Sequence, residues 1–107
     1  MTNHDMPIAC NLSAIQESDR ERYKALASRV RSAMRGRAEL SNGYVVQLSD
    51  ADIATGELAE WIELEGLCCP FLTIELSVLD GGKSRSLIMT GPPAVKALIQ
   101  AEFPPIR

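Results

Sequence analysis

Histidine occurs once in this chain of 107 residues, at position 4. It falls in a polar, patternless start, Met1 to Met6, that reads as a flexible end. The folded part therefore lacks the residue that most often serves as general base, and a cysteine or serine nucleophile is left without its usual activator. No apolar run is long enough to cross a bilayer. Met1 to Leu12 also lacks the basic start and long apolar core of a signal peptide, so a cytoplasmic location and no membrane partner are expected. Cysteine is scarce and odd in number, with three residues. A small secreted domain held by disulfides would carry more and pair them evenly, so thiols in a reducing compartment are expected. Gly91-Pro92-Pro93 has neither the glycine-rich loop nor the lysine of a phosphate cradle. A net charge of −3 gives no general affinity for nucleic acid, and none is expected as a partner.

What the chain does contain is ordinary globular material, 46% hydrophobic and 23% charged, in a length that suits one domain, residues 1–107. One stretch stands apart. Leu58 to Phe71 holds the only tryptophan, two of the three cysteines and an oddly placed carboxylate. Stepped at about 100° per residue, Leu58, Trp61, Ile62, Cys68 and Cys69 share one side of a helix, with Glu65 near its middle. A glutamate is thus expected where a leucine would ordinarily pack. Burying an ionised carboxylate is costly unless it is paired, hydrogen-bonded, protonated or bound to metal, which makes Glu65 the most informative residue.

The remaining pattern predicts the order strand, helix, strand, helix, strand, strand, helix. Ile8, Cys10 and Leu12 alternate as a first strand with Cys10 facing the core. Ser13 with Gln16, or Ser18 with Glu21, offers a capping box for a helix whose apolar stripe is Tyr23, Leu26, Val30, Ala33 and Met34, and Gly36 is its expected stop. Ser41-Asn42-Gly43 is a turn, and Tyr44, Val46 and Leu48 alternate as the next strand. Asp50 or Asp52 can cap the helix that carries Glu65. Pro70 ends it and biases Cys69 toward extended geometry, which puts the cysteine pair on a helix-to-strand corner. Leu72, Ile74, Leu76 and Val78 then face one way, with Phe71, Thr73, Glu75 and Ser77 on the other, mixed face. Asp80-Gly81-Gly82 turns the chain into a returning strand at Ser86 to Thr90. A last helix opens at Gly91-Pro92-Pro93 and buries Val95, Leu98, Ile99 and Phe103. The simplest arrangement is an α+β two-layer sandwich, one four-stranded, mostly antiparallel sheet with three helices on one face (β-α-β-α-β-β-α).

Three thiolates with one carboxylate suit Zn²⁺ or a softer ion such as Hg²⁺, Cu⁺ or As(III). Cys10, Cys68, Cys69 and Glu65 are accordingly the candidate metal ligands, with Glu65 as fourth ligand or as orienting partner. The competing reading is that buried cysteines merely fill space. A reactive thiol is disfavoured, because the negative end of a helix and a nearby carboxylate both stabilise the protonated form. Glu75 does not pair with Glu65, since strand alternation puts it on the far face of the sheet. An enzyme is thus the less favoured class. The alternative to a metal-binding or metal-sensing module is a non-enzymatic homodimeric interaction module, joined through the mixed sheet face. The basic cluster Arg20 to Arg37 and the acidic cluster Asp50 to Glu65 could pair within a chain or between two.

Ala9-Cys10-Asn11-Leu12, Gly43-Tyr44, Glu65-Gly66-Leu67-Cys68-Cys69-Pro70-Phe71-Leu72-Thr73-Ile74-Glu75-Leu76 and Thr90-Gly91-Pro92 resemble a group of small uncharacterised bacterial proteins with a Cys-Cys-Pro-Phe motif. That group is similar to the domain following the DNA-binding part of some MerR-like regulators. The resemblance implies one cysteine in the first strand, matched by Cys10, and a pair matched by Cys68 and Cys69. It departs at Gly66, where the pattern usually carries a basic residue. Such regulators often sense metals or thiol-reactive compounds, so the resemblance implies sensing or sequestration rather than catalysis.

Overall fold

Leu26, Ala27, Val30 and Ala33 recur on one side of the first helix, α1 (Glu17–Ala33), and all four are buried. In the computed structural model, which describes residues 11–49 and 53–103, this helix packs on one face of a sheet with α2 (Thr55–Cys68) and α3 (Val95–Glu102). The sheet comprises β1 (Met34–Leu40), β2 (Gly43–Leu48), β3 (Thr73–Leu79) and β4 (Ser84–Thr90). Its spatial order is β1-β2-β4-β3, antiparallel throughout. No helix among the described residues is long and apolar enough to cross a membrane.

The expected class, a four-stranded antiparallel sheet with three helices, is the observed one. One strand differs from expectation. The predicted first strand falls largely on residues 7–10, outside the described residues, and its last position, Leu12, belongs instead to a 3-10 turn, Leu12–Ala14. The missing partner for β2 comes from the segment after α1. The helix stops at Ala33, because Met34 turns to extended geometry (φ −70°, ψ 132°). Gly36 is therefore not a helix stop but a strand residue beside the irregularity between Met34 and Gly36. Met34-Arg-Gly-Arg-Ala-Glu-Leu has no apolar alternation to announce a strand. It is an edge strand, where charged side chains are tolerated and discourage further pairing.

Register determines which side is buried. Tyr44, Val46 and Leu48 of β2 lie opposite Met89, Leu87 and Arg85 of β4, which in turn lie opposite Ile74, Leu76 and Val78 of β3. These positions face the helices. Arg85 is held there by the Ser49 carbonyl at 2.7 Å and Thr55 Oγ1 at 3.3 Å. Glu75 sits on the open face and is exposed, as alternation requires. Phe71, expected on that same mixed face, is instead half-buried against the core, since it precedes β3 and does not follow the strand's alternation. Toward the β1 edge, Arg37 Nη1 donates to the Phe103 carbonyl at 3.0 Å, Gln100 donates to Tyr44 Oη at 2.7 Å, and Lys96 pairs with Glu39. These contacts anchor α3 over β1 and β2.

Neither serine capping box forms. Gln16 is the N-cap of α1 and makes no side-chain cap, while Ser13 Oγ donates to Asn11 Oδ1. For α2 the N-cap is Ala54, whose N–H is taken by Glu57 Oε1 at 3.0 Å, half of the reciprocal arrangement. Asp50 and Asp52, the expected caps, lie outside the described residues. The prolines 92 and 93 precede α3 rather than opening it, with Pro92 lending its carbonyl to the Val95 N–H at 2.8 Å.

Candidate metal centre

The buried side of α2 is Leu58, Trp61, Glu65 and Cys68, the stripe expected from helical spacing with the carboxylate inside it. Glu65 is only 2% exposed. Cys68 is the last residue of the helix and Cys69 its C-cap (φ −129°, ψ 68°), so the adjacent cysteines are not held at helical separation. Leaving the helix brings the second sulfur back beside the first. The two Sγ atoms are 3.8 Å apart, and the ligand atoms of Glu65, Cys68 and Cys69 all lie within 4.8 Å of one another. Two sulfurs held about 2.3 Å from a tetrahedral zinc would be separated by about 3.8 Å. The observed spacing fits that geometry and is far too long for a bond between these two sulfurs.

The backbone tightens the corner. Cys69 N–H donates to the Glu65 carbonyl at 2.7 Å, closing the last turn, and Leu72 N–H donates to the Cys69 carbonyl at 3.0 Å. Asn11 N–H donates to the Cys68 carbonyl at 2.8 Å. The chain just after position 10 thus lies against the cysteine corner. Cys10 itself, the fourth candidate ligand, lies outside the described residues.

Tyr23 was not among the candidates, yet it links two of them. Its hydroxyl donates to Glu65 Oε1 at 2.7 Å and accepts from the Cys68 thiol at 3.6 Å. The signal available in the sequence was a tyrosine heading the apolar stripe of α1, since a part-buried phenol needs a polar partner. Which helix supplies that partner is a tertiary fact.

Burial pushes the Glu65 carboxyl above the usual carboxylate range, with Glu102 adding to the rise and the Tyr23 hydrogen bond and Arg31 opposing it. Burial likewise raises the Cys68 thiol, opposed by Tyr23 and reinforced by Glu65. Burial, then the bond to Glu65, drives the Tyr23 phenol well above its ordinary value. Burial thus favours the protonated forms of Glu65, Cys68 and Tyr23. A cation entering would displace protons, as metal binding to thiols requires, whereas a cysteine nucleophile would need the opposite shift.

One expectation about the cysteines is corrected. Cys68 is a free thiol, but Cys69 is disulfide-bonded, so the cysteines are not all thiols. Cys69 is fully buried, which limits the access of a reducing thiol to its sulfur. In this state Cys69 is not a thiolate ligand.

The basic and acidic clusters meet within the chain. Arg22 grips Glu60 with two hydrogen bonds, at 3.0 and 2.8 Å, and Arg29 pairs with Glu57, joining α1 to α2 beside the site. The arginine hydrogen bonds hold both carboxyls below their ordinary range. Their folded values lie below the unfolded ones, so their contribution is present above the ordinary glutamate value, about 4.3, and is lost as pH falls through the lowered values. Being exposed, the pairs should contribute modestly and be screened by salt. Thermal melting followed down through the carboxylate range should therefore show a steeper loss for the wild type than for Glu60→Gln. High salt should reduce that difference, and equal slopes at low salt would show that the pairs add nothing.

No family model, no curated protein and no solved structure matches the chain.

Proposed function

We propose that the reduced protein is a small cytoplasmic module that binds a soft or borderline metal ion, Zn²⁺ or Hg²⁺, and acts in sensing or sequestration. Cys68 and Cys69 supply sulfur, and Glu65 supplies an oxygen or orients the thiols through Tyr23. Cys10 is the further ligand, a reading supported by the contact of its neighbour Asn11 with the Cys68 carbonyl. The observation that carries the proposal is the convergence of Glu65, Cys68 and Cys69 ligand atoms within 4.8 Å in a buried setting. Burying an ionised glutamate is expensive, and metal ligation is one of the arrangements that offset it, beside the Tyr23 hydrogen bond. The resemblance to the domain associated with MerR-like regulators favours sensing over catalysis.

The test is an anaerobic titration of the fully reduced protein with Zn²⁺ and Hg²⁺, following thiolate-to-metal absorption and free thiols together. One equivalent should bind with protection of Cys68 and Cys69. Cys68→Ser should abolish tight binding, and Glu65→Gln should weaken it about tenfold or more. Thiols that stay free in the presence of metal would sink the proposal, and unchanged affinity in Glu65→Gln would remove that residue from the site.

The rival reading, a homodimeric interaction module with structural cysteines, draws support from the near-complete burial of both sulfurs and the disulfide at Cys69. Light scattering separates the two. A tight dimer indifferent to chelator and to Cys68→Ser would favour the rival.

A further inference from the structure

We propose that two copies of this chain join edge to edge through β3, merging their sheets into one across a two-fold axis. The proposal is independent of the metal-binding reading above. It also differs from the rival reading, whose copies meet through the open face of the sheet.

The two edges of the sheet have opposite character. β1, at one edge, carries Arg35, Arg37 and Glu39, and such charges discourage further pairing. β3, at the other, is Thr-Ile-Glu-Leu-Ser-Val-Leu, with one charge and neither proline nor glycine. It is rich in strand-forming residues and pairs only with β4 among the described residues. Val78 and Leu79 are 43% and 58% exposed, and Ile74 and Leu76 are only partly buried. Val78 faces the side that carries the helices, so its exposure shows that the helical layer leaves this end of β3 uncovered.

The backbone of β3 is free where a second copy needs it. The Gly91 N–H donates to the Asn42 carbonyl at 3.1 Å, which turns the peptide groups of Met89, Leu87 and Arg85 toward β2 and those of Ile88 and Ser86 toward β3. Glu75 and Ser77 are the residues opposite Ile88 and Ser86. Ile74, Leu76 and Val78 therefore turn their N–H and C=O groups outward. Antiparallel pairing about a two-fold axis at Leu76 uses all three, setting Leu76 against Leu76 and Ile74 of one copy against Val78 of the other, with each pair exchanging two hydrogen bonds. It also sets Glu75 against Ser77. Sliding one way would oppose Glu75 to Glu75, where like charges repel, and sliding the other way would oppose Ile74 to Asp80, which has left the strand with φ 54°. The edge is thus its own complement in one register. A seven-residue strand makes a small interface, so the association is reversible and weaker than the tight dimer of the rival reading.

The experiment is sedimentation equilibrium of the full chain over a wide range of concentration, with and without dithiothreitol and chelator. The mass should rise from that of one chain toward that of two in every condition, and amide exchange at Ile74, Leu76 and Val78 should slow as concentration rises. Val78→Pro removes an outward N–H that β4 does not use, and Val78→Lys keeps that N–H but sets an ammonium against Ile74 of the other copy. Both should lose the dimer while circular dichroism stays that of the wild type, and either one that folds suffices. Val45→Lys, on the open face of β2, should keep it. A chain that stays single at every concentration would overturn the proposal and leave the edge to a strand of another protein. A dimer that survives in a folded Val78 variant would overturn it too, as would one that vanishes with dithiothreitol or chelator. Loss of the dimer in Val45→Lys, with no slowed exchange at the three amides of the wild type, would move the contact to the open face and favour the rival reading.

Discussion

Trp61→Ala should lower the free energy of unfolding by about 3–5 kcal/mol, the range for emptying the space of a large aromatic in a packed core. Trp61 is fully buried and meets Phe103 edge-on, with ring centroids 6.0 Å apart and planes at 90°. That contact holds the end of α3 against α2, one turn from Glu65. Yet the indole is not ideally placed, because its Nε1–H is buried and has no hydrogen-bond partner among the described residues. Leaving such a donor unmet costs about 1–3 kcal/mol. Trp61→Phe removes that cost while sacrificing part of the ring, so the two effects oppose and the net change should stay within about 1.5 kcal/mol. Urea unfolding of both variants decides the matter. A phenylalanine variant as unstable as the alanine variant would show that the second ring of the indole, not general aromatic packing, carries the contact.

Gly43→Ala should destabilise by about 3 kcal/mol, at the upper end of what overpacking costs. Gly43 opens β2 and lies opposite Thr90 of β4. A Cβ built there would stand 1.8 Å from the Met89 carbonyl oxygen, 2.8 Å from its carbon and 2.9 Å from the Thr90 Cα. Every one of these is backbone, so no side-chain rotation relieves the clash. The central β2–β4 pairing would have to separate at that end. Chemical denaturation should show a lower midpoint, and amide exchange should rise first at Tyr44 and Met89. A variant of wild-type stability would mean that this end of the ladder shifts at little cost. Gly36→Ala is the control, since a Cβ there meets nothing within 4 Å among the described residues.

The helical periodicity of Leu58, Trp61, Glu65 and Cys68 was legible in the sequence because one helix sets their angular positions by itself. So was the hairpin of β3 and β4, where Asp80, Gly81 and Gly82 all adopt positive φ, as the turn demands and as glycine readily allows. The helix-to-strand corner at Cys68 and Cys69 was legible too, through Pro70. These are local matters, governed by spacing and by the stereochemistry of neighbouring residues.

What lay beyond local reading depended on partners distant in the chain. Met34 to Leu40 becomes a strand because β2 offers it an edge, although its own residues lack an apolar face. Tyr23 joins the site because α1 packs across α2 and brings a phenol to a carboxylate 42 residues away. Charge alone lets the arginine and glutamate clusters meet within one chain or between two, and the crossing of those helices is what pairs Arg22 with Glu60 in one. The same holds for the cysteines. Sequence placed Cys68 and Cys69 on one corner, but only the tertiary structure separates a free thiol from a disulfide-bonded neighbour, because the state of a sulfur depends on what the fold brings within bonding distance of it.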